Sequence, residues 1–448
     1  MGELHFVGAG GAGMNPLVEV CARRGWRVSG CDLRDGPALQ RLRRLGVDVW
    51  EGHHPDHVRQ AQRVVVSRAV PTDEPELGAA RKRGIPVLHR AELLAEVLAA
   101  EPDSVGVAGT HGKTTTTAML SVVLEAAGLD PTALVGGEVR QFGGGARVGS
   151  GVAVAEVDES DGSLVQVRVR NAVVTSLDLT DHADHYRHLE ALVGTFAHFV
   201  AATDPKGLVV LCADCPNACR LQPHAPGRVV TYGLEAGAYR GRVVGVHPTG
   251  SRFVLYRHGR EVGEVRLALP GRHNVANATA ALAVGLEWAG DFDALREALE
   301  RFRGVRRRFE VYATSPVVVD DYAHNPVKVQ AALRAVREAW PNRRVVAVFQ
   351  PHRYSRTRTT YLQYADAFAD ADEVVVTELY PADEPPQPGV SGKLIADHLN
   401  HPRVRWVREL EDAAALLQAL VGPQDVVITL GAGDVWRVAE HLAREVPR

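Results

Sequence analysis

The chain has 448 residues, 46% of them hydrophobic and 23% charged, with a formal net charge of −3. This is the balance of a globular protein of about two to four domains, with no general attraction for nucleic acid or an anionic membrane. No apolar run is long enough to cross a bilayer, and the N-terminus opens on a strand pattern without a signal peptide. Five cysteines form no regular framework, which fits reduced thiols and a cytoplasmic location.

Short Val/Leu/Ala strands alternate with amphipathic helical stretches, the pattern of parallel sheets covered by helices. A strand at 4–7 leads into Gly8, Ala9, Gly10, Gly11, Ala12 and Gly13, then a helix to 24 and a second strand at 27–31 with Asp32 at its end. This is G-x-G-x-x-G in the setting of a dinucleotide fingerprint. Its physics requires only a diphosphate at the helix N-terminus and an acid near a ribose. A nucleotide-sugar diphosphate satisfies that as well as NAD does. A helix to 45 carries Gln40-Arg41-Leu42-Arg43-Arg44 on a solvated face, a strand follows at 63–67, and residues 99–104 read as a linker.

A second unit starts at the strand 105–108. It runs into Gly109, Thr110, His111, Gly112, Lys113, Thr114 and Thr115, then a helix. Strand, glycine turn and helix N-terminus form a cradle for a nucleoside triphosphate. Backbone N–H groups meet phosphate oxygens, the lysine offsets β/γ charge, and Thr114 can ligate Mg²⁺. Lysine is scarce, five against 46 arginines, which adds weight to Lys113. The run Glu156-Val157-Asp158-Glu159-Ser160-Asp161 follows a strand at 152–155, where acids serve as second Mg²⁺ ligands. Asp181-His182-Ala183-Asp184-His185-Tyr186 follows a strand at 172–177, expected to neighbour the Glu156 strand in parallel. His182 could ligate a cation or orient a carboxylate. Cys212, Cys215 and Cys219 lack the fourth ligand and paired knuckle of a zinc site. Antiparallel strands are expected at 252–256 and 264–269. Asn274 and Asn277 then share one face of a helix and could hydrogen-bond a purine edge.

A third unit begins near Tyr312, with strands at 317–320, 345–350, 373–378 and 426–430. Asp321-Tyr322-Ala323-His324-Asn325-Pro326, Gln350-Pro351-His352-Arg353-Tyr354-Ser355-Arg356-Thr357 and Gly431-Ala432-Gly433-Asp434 each follow one of these strands. Ligands bind outside such strand ends, and Arg353 with Arg356 could pair with a small carboxylate.

This ordered set of motifs resembles the Mur ligases over the whole chain. The first glycine loop and the Gln350–Thr357 run are closer to the alanine-adding branch. The resemblance implies an α/β protein of three domains. Residues 1–99 would be a Rossmann-like UDP-sugar domain, 100–312 a P-loop ATPase domain with a mixed sheet, and 313–448 a Rossmann-like domain for the amino acid. It implies ligation of L-alanine to the lactyl carboxylate of UDP-N-acetylmuramate with ATP and Mg²⁺, by a monomer or homodimer. In that reading Lys113 contacts the ATP phosphates, and Thr114, Glu156 and His182 are metal ligands. Asn274, Asn277, Arg308 and Asp321 meet ATP, while Tyr322, His324, Arg353 and Arg356 form the amino-acid end. Gly8 to Gly13 with Asp32, His53 and Ser67 hold UDP. The chain has Glu156-Val157-Asp158-Glu159 where most such ligases have Glu-Ala-Asp-Glu. It has no lysine between Lys113 and Lys206 for the carbamylated lysine of sister branches. Two alternatives are a ligase that recycles a whole peptide onto the same UDP-sugar and an NAD-dependent dehydrogenase. A nucleotide-binding regulatory module would leave the arginines of the third unit unexplained.

Overall fold

The computed structural model describes residues 3–180, 185–288, 291–382 and 384–445. The chain builds three sheets one after another. The first is fully parallel, in the order Asp48–Glu51, Val28–Asp32, Leu4–Val7, Arg63–Val66, Val87–His89. Strand order reverses beside Leu4–Val7, so the crevice of this sheet opens at that strand's C-terminal end, where Gly8 begins.

The second sheet has ten strands. Its parallel heart runs Arg228–Gly233, Leu208–Cys212, Asn171–Val174, Asp103–Ala108, Val152–Glu156, Thr132–Val139. Gly144–Arg147 adds an antiparallel pair at one edge; at the other, Tyr239–His247 joins in parallel and continues as an antiparallel meander through Gly250–Arg257 and Arg260–Leu267. This is the mixed sheet expected of the central unit. The helices Lys113–Ala126 and Arg272–Trp288 cover one face, with Val107, Val123, Val275 and Leu282 fully buried between them. The opposite face shares a continuous buried cluster with the first unit, in which Leu17 and Val18 join Leu134 and Ala146.

The third sheet runs Glu310–Thr314, Val317–Asp321, Val426–Leu430, Val345–Phe349, Glu373–Val376, Val404–Trp406. Only its first pair is antiparallel.

The pairings revise several sequence-based boundaries. Glu310–Thr314 pairs with Val317–Asp321, so a division at 312/313 cuts a strand and the third sheet begins at 310. The strand before the glycine loop starts at Asp103, which shortens the linker to 100–102. Asn171–Val174 and Val152–Glu156 are not neighbours, because Asp103–Ala108 lies between them. No helix among the described residues is long and apolar enough to span a membrane.

Candidate active site

The strand order puts three loops together. Asp103–Ala108 is flanked in parallel register by Val152–Glu156 and Asn171–Val174. The glycine loop therefore emerges between the acidic run after Glu156 and the Thr175–Thr180 segment. Gly112 has φ +81° immediately before the helix Lys113–Ala126, and a Cβ there would lie 2.7 Å from Asn277 Oδ1. Gly109 has φ +138°, and a Cβ would meet Thr175 Oγ1 at 2.2 Å. Both positions need glycine for the turn and for the close approach.

A cavity of about 340 Å³ opens on this loop. Thr110, His111, Gly112, Lys113, Thr114 and Thr115 line one side, with Glu156 beside them; Asn274 and Asn277 line another. Arg308 and Asp321 come from the start of the third unit, and the helix Pro326–Ala339 closes the cavity with Val327, Lys328 and Ala331. Every residue expected to meet the nucleotide borders this space except Gly109, which shapes the turn behind it. Thr175, Ser176, His273 and Lys328 had no assigned role in the sequence, and they line it too.

Lys113 Nζ donates to the Gly109 carbonyl at 2.6 Å and to both oxygens of Glu159 at 2.9 and 2.8 Å, with Asp158 Oδ1 3.8 Å away. Glu159 is completely buried. Burial opposes the lysine's charge, but Glu159, Asp158 and Glu156 outweigh it and hold the ammonium well above its usual pKa. Thr114 Oγ1 donates to Glu156 Oε1 at 3.1 Å, and Glu156 Oε2 accepts from Gly136 N at 2.9 Å. Arg308 Nη2 donates to Thr114 Oγ1 at 3.3 Å, and the same guanidinium lies 4.8 Å over the Tyr322 ring. His111 Nε2 pairs with Asp178 Oδ2 at 2.8 Å. Burial works against the Asp178 charge, yet His111 holds its carboxyl well below the usual range. His182 and the Asp181–Asp184 segment lie outside the described residues. Asn277 Oδ1 accepts from Thr116 Oγ1, and Asn274 Nδ2 donates to the Pro270 carbonyl.

The third-unit residues gather at one sheet edge, since Asp321, Phe349 and Leu430 are register partners across adjacent strands. Asp321 accepts from the backbone N–H of Phe309 and Ala323, both at 2.8 Å, and so fixes the approach of Arg308. Burial raises its carboxyl, with Arg308 opposing. Arg307 and Phe309, on either side of Arg308, both have positive φ, +61° and +50°. Such strain persists where surrounding contacts over-determine it: Arg307 holds Asp320 and the carbonyls of Gly431 and Gly433. His324 Nδ1 is 2.9 Å from the Tyr322 carbonyl oxygen. Arg356 Nη1 approaches His352 Nδ1 at 3.4 Å. Arg353 has φ +70°, and its Nε is buried without a hydrogen-bond partner among the described residues.

In the first unit Gly10 N donates to Asp32 Oδ2 at 2.9 Å, so that carboxylate braces the loop. Ser67 follows Arg63–Val66 at the same edge. His53 instead turns its Nδ1 toward Cys31 and Glu76. Arg90 is the residue that the sequence reading missed. It begins a helix capped by His89 and Glu92, and its guanidinium packs where a Gly13 Cβ would sit, at 3.0 Å. Its Nη2 reaches Asp158 Oδ2 at 3.1 Å, so one arginine links the first glycine loop to the acidic run around Lys113. Only its place after the strand Val87–His89 could have signalled this. Cys215 and Cys219 hydrogen-bond to backbone groups, and all five thiols are free.

Two glycine loops at helix N-termini, bridged by an arginine and an aspartate, with a nucleotide-sized cavity between a second and third α/β unit, define a nucleoside-triphosphate-dependent enzyme of three domains. The chain belongs to the Mur ligase family. It matches the Mur ligase family catalytic domain over residues 3–102, the Mur ligase middle domain over 107–285, and the Mur ligase glutamate ligase domain over 307–433. It is 48% identical to UDP-N-acetylmuramate–L-alanine ligase of Rubrobacter xylanophilus, over 98% of this chain and 99% of that protein. The same-named protein of a Geobacter strain is 41% identical over 98% and 96%. Among solved structures, UDP-N-acetylmuramate-alanine ligase MurC of Thermotoga maritima superposes with a TM-score of 0.85 at 31% identity, covering 99% of this chain and 98% of that one. A murein peptide ligase of Psychrobacter arcticus shares the fold, with a TM-score of 0.73 at 21% identity and full coverage of both chains.

Proposed function

We propose that this chain is a cytoplasmic ATP-dependent ligase that joins L-alanine to the lactyl carboxylate of UDP-N-acetylmuramate, releasing ADP and phosphate, in peptidoglycan precursor synthesis. The observation that carries the reading is the Arg90–Asp158 link. It sets a diphosphate-type loop beside a triphosphate-type loop, as a reaction between a nucleotide-sugar and ATP requires. The full-length relatives named for this activity support it, and a Mur ligase of the same fold was solved in complex with ADP. Family membership places the Gly8–Gly13 loop in a ligase, which sets the dehydrogenase alternative aside.

A carboxylate is a poor electrophile for an amine. In the proposed scheme a lactyl carboxylate oxygen attacks the γ-phosphorus of ATP, the bond to the bridging oxygen breaks, and ADP leaves. Lys113 offsets the charge spreading over the transferring oxygens, and the backbone N–H groups of the loop orient them. Glu159 holds Lys113 in place until phosphate competes for it. The alanine amine then attacks the acyl carbon, and phosphate departs carrying one former carboxylate oxygen. His324, whose Nδ1 lies 2.9 Å from the Tyr322 carbonyl oxygen, takes the ammonium proton. Arg353 and Arg356 hold alanine's own carboxylate away from the reacting centre. Thr114 Oγ1 and Glu156, at hydrogen-bond distance on the phosphate loop, are hard oxygen donors of the kind Mg²⁺ takes. When bound, Mg²⁺ supplies further charge neutralisation at the phosphoryl oxygens.

The test is phosphate release from ATP and Mg²⁺ with UDP-N-acetylmuramate, adding L-alanine, glycine, L-serine, D-glutamate or tripeptide one at a time. Release strongest with L-alanine, with a product heavier by one alanyl unit, is expected. Release only with tripeptide would move the chain to the recycling activity, and no release with any acceptor would overturn the ligase reading.

A further inference from the structure

The first unit carries a cluster that the ligase scheme does not use. His5 comes from the strand Leu4–Val7, Cys31 from Val28–Asp32 and Glu76 from the helix Pro75–Lys82. All three are completely buried. Cys31 Sγ lies 2.8 Å from Glu76 Oε2 and 3.7 Å from His5 Nε2, and His5 Nε2 lies 3.6 Å from Glu76 Oε2. His53 Nδ1 sits on the same two groups, 3.0 Å from Cys31 Sγ and 3.3 Å from Glu76 Oε2. His57 Nδ1 reaches the other Glu76 oxygen at 2.5 Å. Glu74 Oε1 points in from 4.0 Å beyond His53 and is buried without a hydrogen-bond partner among the described residues.

We propose that His5, Cys31 and Glu76 bind a zinc-class divalent cation, with His53, Glu74 and His57 at its margin. Three arguments carry this. First, adjacent ligand atoms around a tetrahedral zinc, with bonds of about 2.3 Å to sulfur and about 2.0–2.1 Å to nitrogen, lie roughly 3.3–3.6 Å apart. The three separations within the His5, Cys31 and Glu76 trio, 2.8, 3.6 and 3.7 Å, bracket that span. Second, charge balances. One thiolate and one carboxylate neutralise a divalent ion, the His5 imidazole binds as a neutral ligand, and the thiol proton now directed at Glu76 passes to solvent on binding. Third, His5 is oriented from behind. Its Nδ1 is 3.0 Å from Ser29 Oγ, which donates to Glu3 Oε1 at 3.2 Å, the outer-shell arrangement that fixes the tautomer of a ligating histidine. The mixed sulfur, nitrogen and oxygen donors favour zinc over magnesium or calcium. The Cys31 carbonyl accepts from Gly8 N and Ala9 N, so the ion would stand directly behind the first glycine loop.

The experiment titrates chelator-treated, nucleotide-free full-length protein with Co²⁺ and reads the near-ultraviolet thiolate-to-cobalt charge-transfer band. An oxygen-only site at the phosphate loop gives no such band. The expected result is one Co²⁺ per chain and a band that Zn²⁺ abolishes. Cys31→Ser should remove the band, Cys212→Ser should keep it, and His5→Gln should weaken binding at least tenfold, which covers the case in which Cys31→Ser does not fold. Absence of the band in the wild-type protein, or its survival at full strength in Cys31→Ser or His5→Gln, overturns the proposal.

Discussion

Replacing Lys113 tests the nucleotide site most sharply, because the lysine holds a buried acid as well as facing the cavity. At 2.8 Å from Glu159 Oε2, its attraction is about 6 kcal/mol at an effective dielectric of about 20, largely offset by desolvation of both groups. Removing one partner leaves Glu159 charged and wholly buried, which costs about 3–5 kcal/mol, or about 10 °C in the melting temperature of a unit of this size. Lys113→Met therefore loses both stability and phosphoryl transfer. The two losses separate in the double variant Lys113→Met/Glu159→Gln, which has neither charge. It should recover most of the melting temperature and still release phosphate about 10²–10³-fold more slowly than the parent. The assay pairs thermal melts with steady-state phosphate release. Double-variant activity within tenfold of the parent would show that Lys113 stabilises the fold and not the transition state.

Gly112→Ala forces an alanine to φ +81° and sets its Cβ 2.7 Å from Asn277 Oδ1. The left-handed conformation alone costs about 1–2 kcal/mol, so the KM for ATP should rise more than tenfold, which initial rates against ATP concentration will read. Arg353→Met should raise the KM for the amino acid about 10–100-fold, the worth of a charge-assisted hydrogen bond, and leave the KM for ATP unchanged; saturation curves for the two substrates check this. Burial holds His273, on the cavity wall, down at about 4. Its neutral native form contributes stability that is whole above pH 6.5 and declines as pH falls toward 4, because the unfolded chain takes the proton first. The full loss is about 3 kcal/mol. Melting temperature followed from pH 7 to pH 4 should fall less steeply for His273→Gln than for the parent.

Local chemistry made much of this legible in the sequence. The run from Gly109 to Thr115 reads as a phosphate loop because a strand, two conformationally necessary glycines, a lysine and a helix start are contiguous, and the cavity opens there. Spacing made Asn274 a candidate for a purine edge, but the roles of Arg308 and Asp321 at ATP came through the family resemblance. They meet across two units, and no spacing rule brings a residue at 308 to one at 114. Strand order was the weakest inference. Val152–Glu156 and Asn171–Val174 flank the glycine-loop strand instead of pairing with each other, because hydrophobic runs specify strands and not their neighbours. Arg90 was passed over for a related reason: an arginine opening a helix looks solvated until a third element pairs with it. The His5–Cys31–Glu76 cluster joins a strand, a second strand and a helix, and sequence shows only scattered titratable residues.

The central claim is that the acid is activated by phosphoryl transfer before the amine attacks. The most direct measurement uses UDP-N-acetylmuramate carrying ¹⁸O in both oxygens of the lactyl carboxylate, with ATP, Mg²⁺ and L-alanine, and mass analysis of the released phosphate. One ¹⁸O per phosphate is predicted, because the carboxylate oxygen that attacks phosphorus leaves with it. Phosphate without label would show that water, not the carboxylate, receives the γ-phosphoryl group, and would contradict the scheme.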